Sequence, residues 1–149
     1  MRGRMTGMAA LAAAGLLIAG CGGGGDDKAL TKEEFLKQGN AICTKGNDKI
    51  NAAGKAQFGN QPPSKADIEK FAKETVVPTV EDELKQLHAL KPPKADEATV
   101  NDILDAADKG LEKAKADPAS LAKDNSDPTN PFAEANKKAN AYGLTACGS

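Results

Sequence analysis

Tryptophan is missing from this chain, and there are only four phenylalanines and one tyrosine. The whole aromatic set is Phe35, Phe58, Phe71, Phe132 and Tyr142. The three methionines, Met1, Met5 and Met8, all fall at the very start. A core built from the remainder must therefore use Leu, Ile, Val and Ala, and it will be thin. Arginine is almost absent too: Arg2 and Arg4 are the only two. Beyond them every positive charge is a lysine, interspersed with acidic residues. Nucleic-acid readers concentrate basic charge on one face and often use arginine forks; neither is present, so no nucleic-acid partner is expected. Alternating charge of this kind reads as a solvated helical surface.

Catalytic and metal-binding constellations are equally sparse. His88 is the single histidine, and it reads as a surface or packing residue beside Leu87. No serine stands in a Gly-x-Ser-x-Gly elbow, and no glycine-rich loop follows a strand in the way phosphate cradles require. Asp124-Asn125-Ser126-Asp127 through Asn130 is rich in oxygen donors. It lacks the central glycine and the terminal glutamate of a calcium loop, so turn chemistry explains it better. Glu81-Asp82-Glu83 reads as the solvated start of a helical turn. No catalytic residue, metal ligand or cofactor is therefore assigned.

What is present begins with an export signal. Arg2 and Arg4 precede an apolar run from Met8 to Ala19, which closes on small residues. That is the arrangement of a secretory signal, and the run is shorter than the roughly 20 apolar residues of a membrane span. Its end, Ile18-Ala19-Gly20-Cys21, resembles the lipobox of bacterial lipoproteins. The resemblance implies cleavage before Cys21, a diacylglyceryl group on its sulfur, and usually an acyl group on its amine. Residues 1–20 are then the signal peptide. Residues 21–30, with Gly22 to Gly25 and Asp26-Asp27, form a flexible solvated tether, and 31–149 form the domain. The chain would sit on the cell membrane, lipid-anchored on its extracytoplasmic face, with the bilayer as one partner. The alternative is an ordinary signal with cleavage near Gly20 and Cys21 left as a free thiol.

Two further cysteines remain, Cys43 and Cys147, and export would deliver them to an oxidising space. Their pairing is the simplest use, and such a loop would contribute roughly 4–5 kcal/mol in the chain-entropy model. Two buried free thiols are the other possibility.

The rest of the pattern is helical. Thr31-Lys32-Glu33-Glu34 is a capping box. Phe35, Leu36, Ile42, Cys43 and Ile50 then form one stripe, interrupted by Gly39 and Gly46, which either weaken the helix or let a neighbour approach. Loop signals run from Ala56 to Pro63. Ser64 caps a second helix whose inner face is Ile68, Phe71, Ala72, Thr75, Val80, Leu84, Leu87 and Lys91. Pro78 predicts a kink in it, or two helices meeting at Val77-Pro78. A third helix spans about Asp96 to Ala116, Ala119 to Lys123 forms one helical turn, and Asn130-Pro131 opens a last helix that Gly143 stops. The expected fold is an all-α bundle of about four helices, with a kinked second helix and a disulfide from the first helix to the C-terminal tail. Leu30 to Phe35, Asn40 to Cys43, Pro131 to Asn136 and Ala141 to Leu144 are similar to segments of small actinobacterial lipoproteins and secreted proteins. That group has no assigned activity, so the likeness implies no site residues; it agrees with a cysteine pair joining first and last helices.

The expected function is a membrane-anchored module that binds a protein or envelope partner through a helical face. The alternative is a small-molecule binder, with an apolar ligand or haem between the helices and His88 or Tyr142 as the axial options. Small side chains that leave a cavity motivate that alternative. The anchoring expectation is checked by intact and N-terminal mass spectrometry of the membrane-extracted protein. Cys21 should be the first residue and carry acyl mass, and Cys21→Ser should abolish both. A mature chain with unmodified Cys21 would overturn it.

Overall fold

The computed structural model describes residues 28–125 and 127–149. The signal segment 1–20, Cys21 and tether residues 22–27 lie outside the described residues. The elements are α1 (Lys32–Phe58), α2 (Lys65–Phe71), a π-helical turn (Ala72–Val76), α3 (Val77–Ala89), α4 (Glu97–Ala116), a 3-10 turn (Pro118–Ala122) and α5 (Ala133–Tyr142). The segment α2–π–α3 is one continuous kinked rod, so the fold is the expected four-helix, all-α arrangement. Among the described residues no helix is long and apolar enough to cross a membrane.

Local chemistry sets the boundaries. The Thr31 hydroxyl accepts from the Glu34 N–H at 3.2 Å, and the Glu34 carboxylate accepts from the Thr31 N–H at 2.9 Å. Ser64 and Asp67 repeat that box at the start of α2. The first helix runs three residues further than the loop signals suggest, through Ala56, Gln57 and Phe58. Phe58 packs edge-on against Phe71, with ring centroids 5.2 Å apart, and Gly59 at φ +56° then ends the helix. The last helix starts later than expected. Asn130 is not its N-cap: its Oδ1 accepts from the Phe132 N–H at 2.8 Å in a preceding turn, and Phe132 takes the cap position without a side-chain bond. Regular helix begins only at Ala133.

The kink at Pro78 takes a specific form. Proline has no N–H for the carbonyl four residues back, and its ring would collide with it. The rod answers with one wider turn, in which the Val77 N–H bonds the Ala72 carbonyl, five residues back. This inserted residue shifts the register of everything beyond it. Ala72 is buried before the turn, and Val77, Leu84 and Leu87 after it. Thr79 is buried as well, with its hydroxyl donating to the Thr75 carbonyl at 2.7 Å. Lys91, expected on the inner face, lies beyond the rod's end and is exposed.

Packing runs in a chain: α1 on α3, α3 on α4, and α4 on α5. The segment after α5 crosses back to α1 and closes the ring. Gly143 at φ +110° makes the reversal. There the Leu144 N–H bonds the Ala139 carbonyl at 2.9 Å and the Gly143 N–H bonds that of Asn140 at 3.2 Å, the Schellman pairing. Leu144 then becomes one of the most buried side chains, with Phe35 and Val100. Gly39 allows its approach, since an added Cβ there would stand 2.6 Å from the Leu144 Cδ2. Three residues on one face of α1 fasten the segment. Asn40 accepts from the Ala146 N–H at 2.9 Å and donates to the Gly143 carbonyl at 3.0 Å. Asn47 donates to the Ala146 carbonyl at 2.8 Å. Between them Cys43 is bonded to Cys147, with Cα atoms 5.0 Å apart.

Tyr142 pins the other end. Its hydroxyl donates to Asp96 at 2.9 Å, its ring meets Phe35 edge-on, and the Lys32 ammonium lies 4.3 Å from the ring centroid. Asp96 is thereby engaged and leaves α4 without a side-chain N-cap.

The disulfide joins residues 104 apart, so Cys147→Ser should lower unfolding stability in urea by about 4 kcal/mol. Cys43→Ser should cost the same, and the double variant no more than either single one, because all three lose one bond.

Candidate ligand cavity

Four-helix packing of this chain does not fill its interior. A cavity of about 370 Å³ lies between α1, the kinked rod, α4, α5 and the C-terminal segment. The cause is compositional. Ala72, Ala107, Ala135 and Ala139 stand on its walls, where larger side chains would interdigitate, and no tryptophan or flexible methionine is available to fill the gap. Ile50, Phe71, Val80, Leu84, Ile103 and Leu104 add apolar wall, and Asn47, Glu83, Asn125, Asn130, Asn136 and Ser149 are its polar lining residues. An engineered apolar cavity of about 150 Å³ stays dry and binds benzene. Scaled from benzene's six carbons, the present volume suits a body of roughly fifteen heavy atoms.

The wall is covalently closed on one side, because Cys43 and Cys147 both line it. Asn125 and Ser149 line it as well and are exposed, so the cavity reaches the surface there. Asn47 holds the Ser149 side of this opening, donating to the Ser149 hydroxyl at 3.3 Å. Asn130, whose amide donates to the Lys123 carbonyl at 2.8 Å, secures the loop on the Asn125 side.

One lining residue carries charge. Glu83 projects from α3 into the wall. Its Oε1 is shielded from solvent and has no hydrogen-bond partner. The carboxyl lies directly over Gly46 of α1, where any Cβ would overlap it. Burial pushes its pKa from 4.5 up to about 7; neighbouring Asp82 adds to the rise and Lys49 opposes it. The sequence offers a weak hint of this, since Gly46 on an inward stripe demands a close neighbour. The charge run concealed it: Glu81 and Asp82 are exposed as expected, while Glu83 is half-buried.

The other candidates do not converge on the cavity. His88 pairs with Asp108 across α3 and α4 at 3.0 Å. Tyr142 is held by Asp96, and burial together with that hydrogen bond pushes its phenol up to about 12. Neither lines the cavity, so an enclosed haem would find no axial ligand from them. The Asp127 carboxylate accepts from the Thr129 N–H at 2.7 Å and from its hydroxyl at 2.6 Å, which is turn chemistry. Among the described residues no cluster of three or more His, Cys, Asp or Glu is placed to hold a metal ion. The chain matches no protein-family model, no curated protein and no solved structure.

Glu83 has a consequence for stability. A carboxyl whose pKa is raised in the folded state holds its proton more tightly there than in the unfolded chain. Stability is therefore full below pH 4.5 and falls as pH rises towards 7, where the folded state must also ionise. At full weight the shift is worth about 3 kcal/mol, and partial exposure reduces that to roughly 1–2 kcal/mol. Glu83→Gln should accordingly be more stable than the wild type by about that amount at pH 8, with the two converging at pH 4 in urea denaturation. Equal differences at both pH values would contradict the assignment.

Proposed function

We propose that this chain is a membrane-anchored extracytoplasmic lipoprotein whose helical domain holds a small apolar ligand. The observation that carries the reading is the cavity of about 370 Å³ between the helices. Ligand pockets are typically concave, mostly apolar, and equipped with a few convergent polar groups. This one has alanine-lined walls, a single carboxyl and a surface opening. Apolar wall left facing water in such an opening is a cost that an apolar occupant would remove.

Support for the anchor comes from Ile18-Ala19-Gly20-Cys21 and its resemblance to a lipobox. The ten residues that follow Gly20 would keep the cavity close to the bilayer, where apolar molecules concentrate. Sequence alone favours a partner-binding module over a ligand binder; the cavity reverses that order. The reading assigns no catalysis. The two thiols are consumed in a disulfide, and His88 sits on the outer surface with Asp108.

Native mass spectrometry of the protein extracted gently from its own membranes tests this. Additional mass that survives extraction and leaves on denaturation is the expected result. Ala107→Leu, which fills part of the cavity, should lose that mass while the chain stays folded. A mass fully accounted for by the acylated chain with one disulfide, together with no uptake of added 1-nonanol, would overturn the reading.

A further inference from the structure

The cavity wall is asymmetric in charge, and that asymmetry selects among apolar ligands. Glu83 is the one ionisable residue among its lining side chains. Carboxylate oxygens only accept hydrogen bonds when ionised, and even a protonated carboxyl keeps acceptor capacity. The Glu83 Oε1 accepts no hydrogen bond from the protein and is packed against Gly46 of α1 without accessible surface. None of the lining asparagines, Asn47, Asn125, Asn130 and Asn136, donates to it. Glu83 therefore acts on a cavity occupant as a negative charge in the wall, with no cationic side chain among the lining residues to offset it.

We propose that the cavity selects cationic amphiphiles, namely a compact apolar body of roughly fifteen heavy atoms carrying one primary or secondary ammonium group that donates to Glu83. The inference rests on the cavity reading above and adds the chemical class of its ligand. An ammonium brings a charge opposite to the carboxylate, and a hydrogen bond between the two is charge-assisted and shorter than a neutral one. A neutral alcohol offers only the uncharged bond. A fatty acid brings a second negative charge into a wall that already holds one. The basic group whose field reaches Glu83, Lys49 of α1, does not satisfy Oε1, and Asp82 beside it increases the negative potential. The half-titrated carboxyl expected near neutral pH would be drawn into its ionised form by such a ligand.

The test uses the full disulfide-bonded chain held in amphipol and three probes of equal length: n-nonylamine, 1-nonanol and nonanoate. Isothermal titration at pH 7.5 should rank the amine about tenfold or more above the alcohol, with nonanoate weakest. Glu83→Gln should erase the advantage of the amine while leaving the affinity for 1-nonanol within about twofold. Glu81→Gln removes a neighbouring exposed charge and should leave the amine preference in place. If all three probes bind equally to the wild type, or if the two variants weaken the amine alike, the selection by Glu83 is overturned while ligand binding stands. If none binds, the cavity reading falls with it.

Discussion

Attachment of the C-terminal segment to α1 is the constraint on which the bundle depends. Helices α1, α3, α4 and α5 contact one another in sequence, and a chain of pairwise contacts has two open ends. The segment from Gly143 to Ser149 joins those ends. Asn40, Cys43 and Asn47 stand three and four residues apart, so they share one face of α1. Together they supply two amide clamps and a covalent bond to a single short stretch. Leu144 enters the core through that attachment and meets the backbone of α1 at Gly39. A thin core of Leu, Val and Ala gains from this more than a large one would, because the marginal stability of a small domain leaves little surplus.

The same closure encloses the cavity. With Cys43 and Cys147 in its wall, the interior volume cannot be relieved by moving the C-terminal segment inward or away. Small side chains opposite leave the space open, and a single acid is held against it by Gly46. Each of these choices opposes stability: alanine in place of leucine, glycine within a helix, an unpaired carboxyl. Sites that bind commonly violate local rules while the remainder of the fold compensates. Here the compensating terms are the disulfide, the aromatic and ionic cluster around Tyr142, and the buried stripe of α4.

Much of this was legible from residue order. The capping boxes at Thr31 and Ser64 fixed two helix starts, and α4 follows its apolar stripe. Cys43 lay on an inward stripe, which made its pairing with Cys147 geometrically reasonable. The wide turn before Pro78 was partly visible as well. Between Thr75 and Val80 the inner-face spacing is five residues, longer than the three or four of a regular helix. Glu83 was not legible. Charge runs are normally solvated, and nothing within the run marks which of three consecutive acids faces inward. A regular helix from Ala72 would place Thr79, Glu83 and Gln86 on the inner face; the wide turn brings Leu84 and Leu87 there and leaves Glu83 half-buried. Likewise Asn40 and Asn47 gave no signal, because their partners are backbone groups about a hundred residues away.

The closing segment also orders events in time. Synthesis delivers α1 first, yet the surface of α1 that holds Leu144 and Cys147 stays uncovered until every other helix has emerged. The earliest helix therefore waits for the stretch that follows the last one. Nearby contacts such as α3 with α4 can form as the chain appears, whereas ring closure carries the entropy of a very long loop. Acquisition of the native state is thus a late, whole-chain event. Until it occurs, the thiol of Cys43 remains available to exchange partners, and the interior is still an open groove.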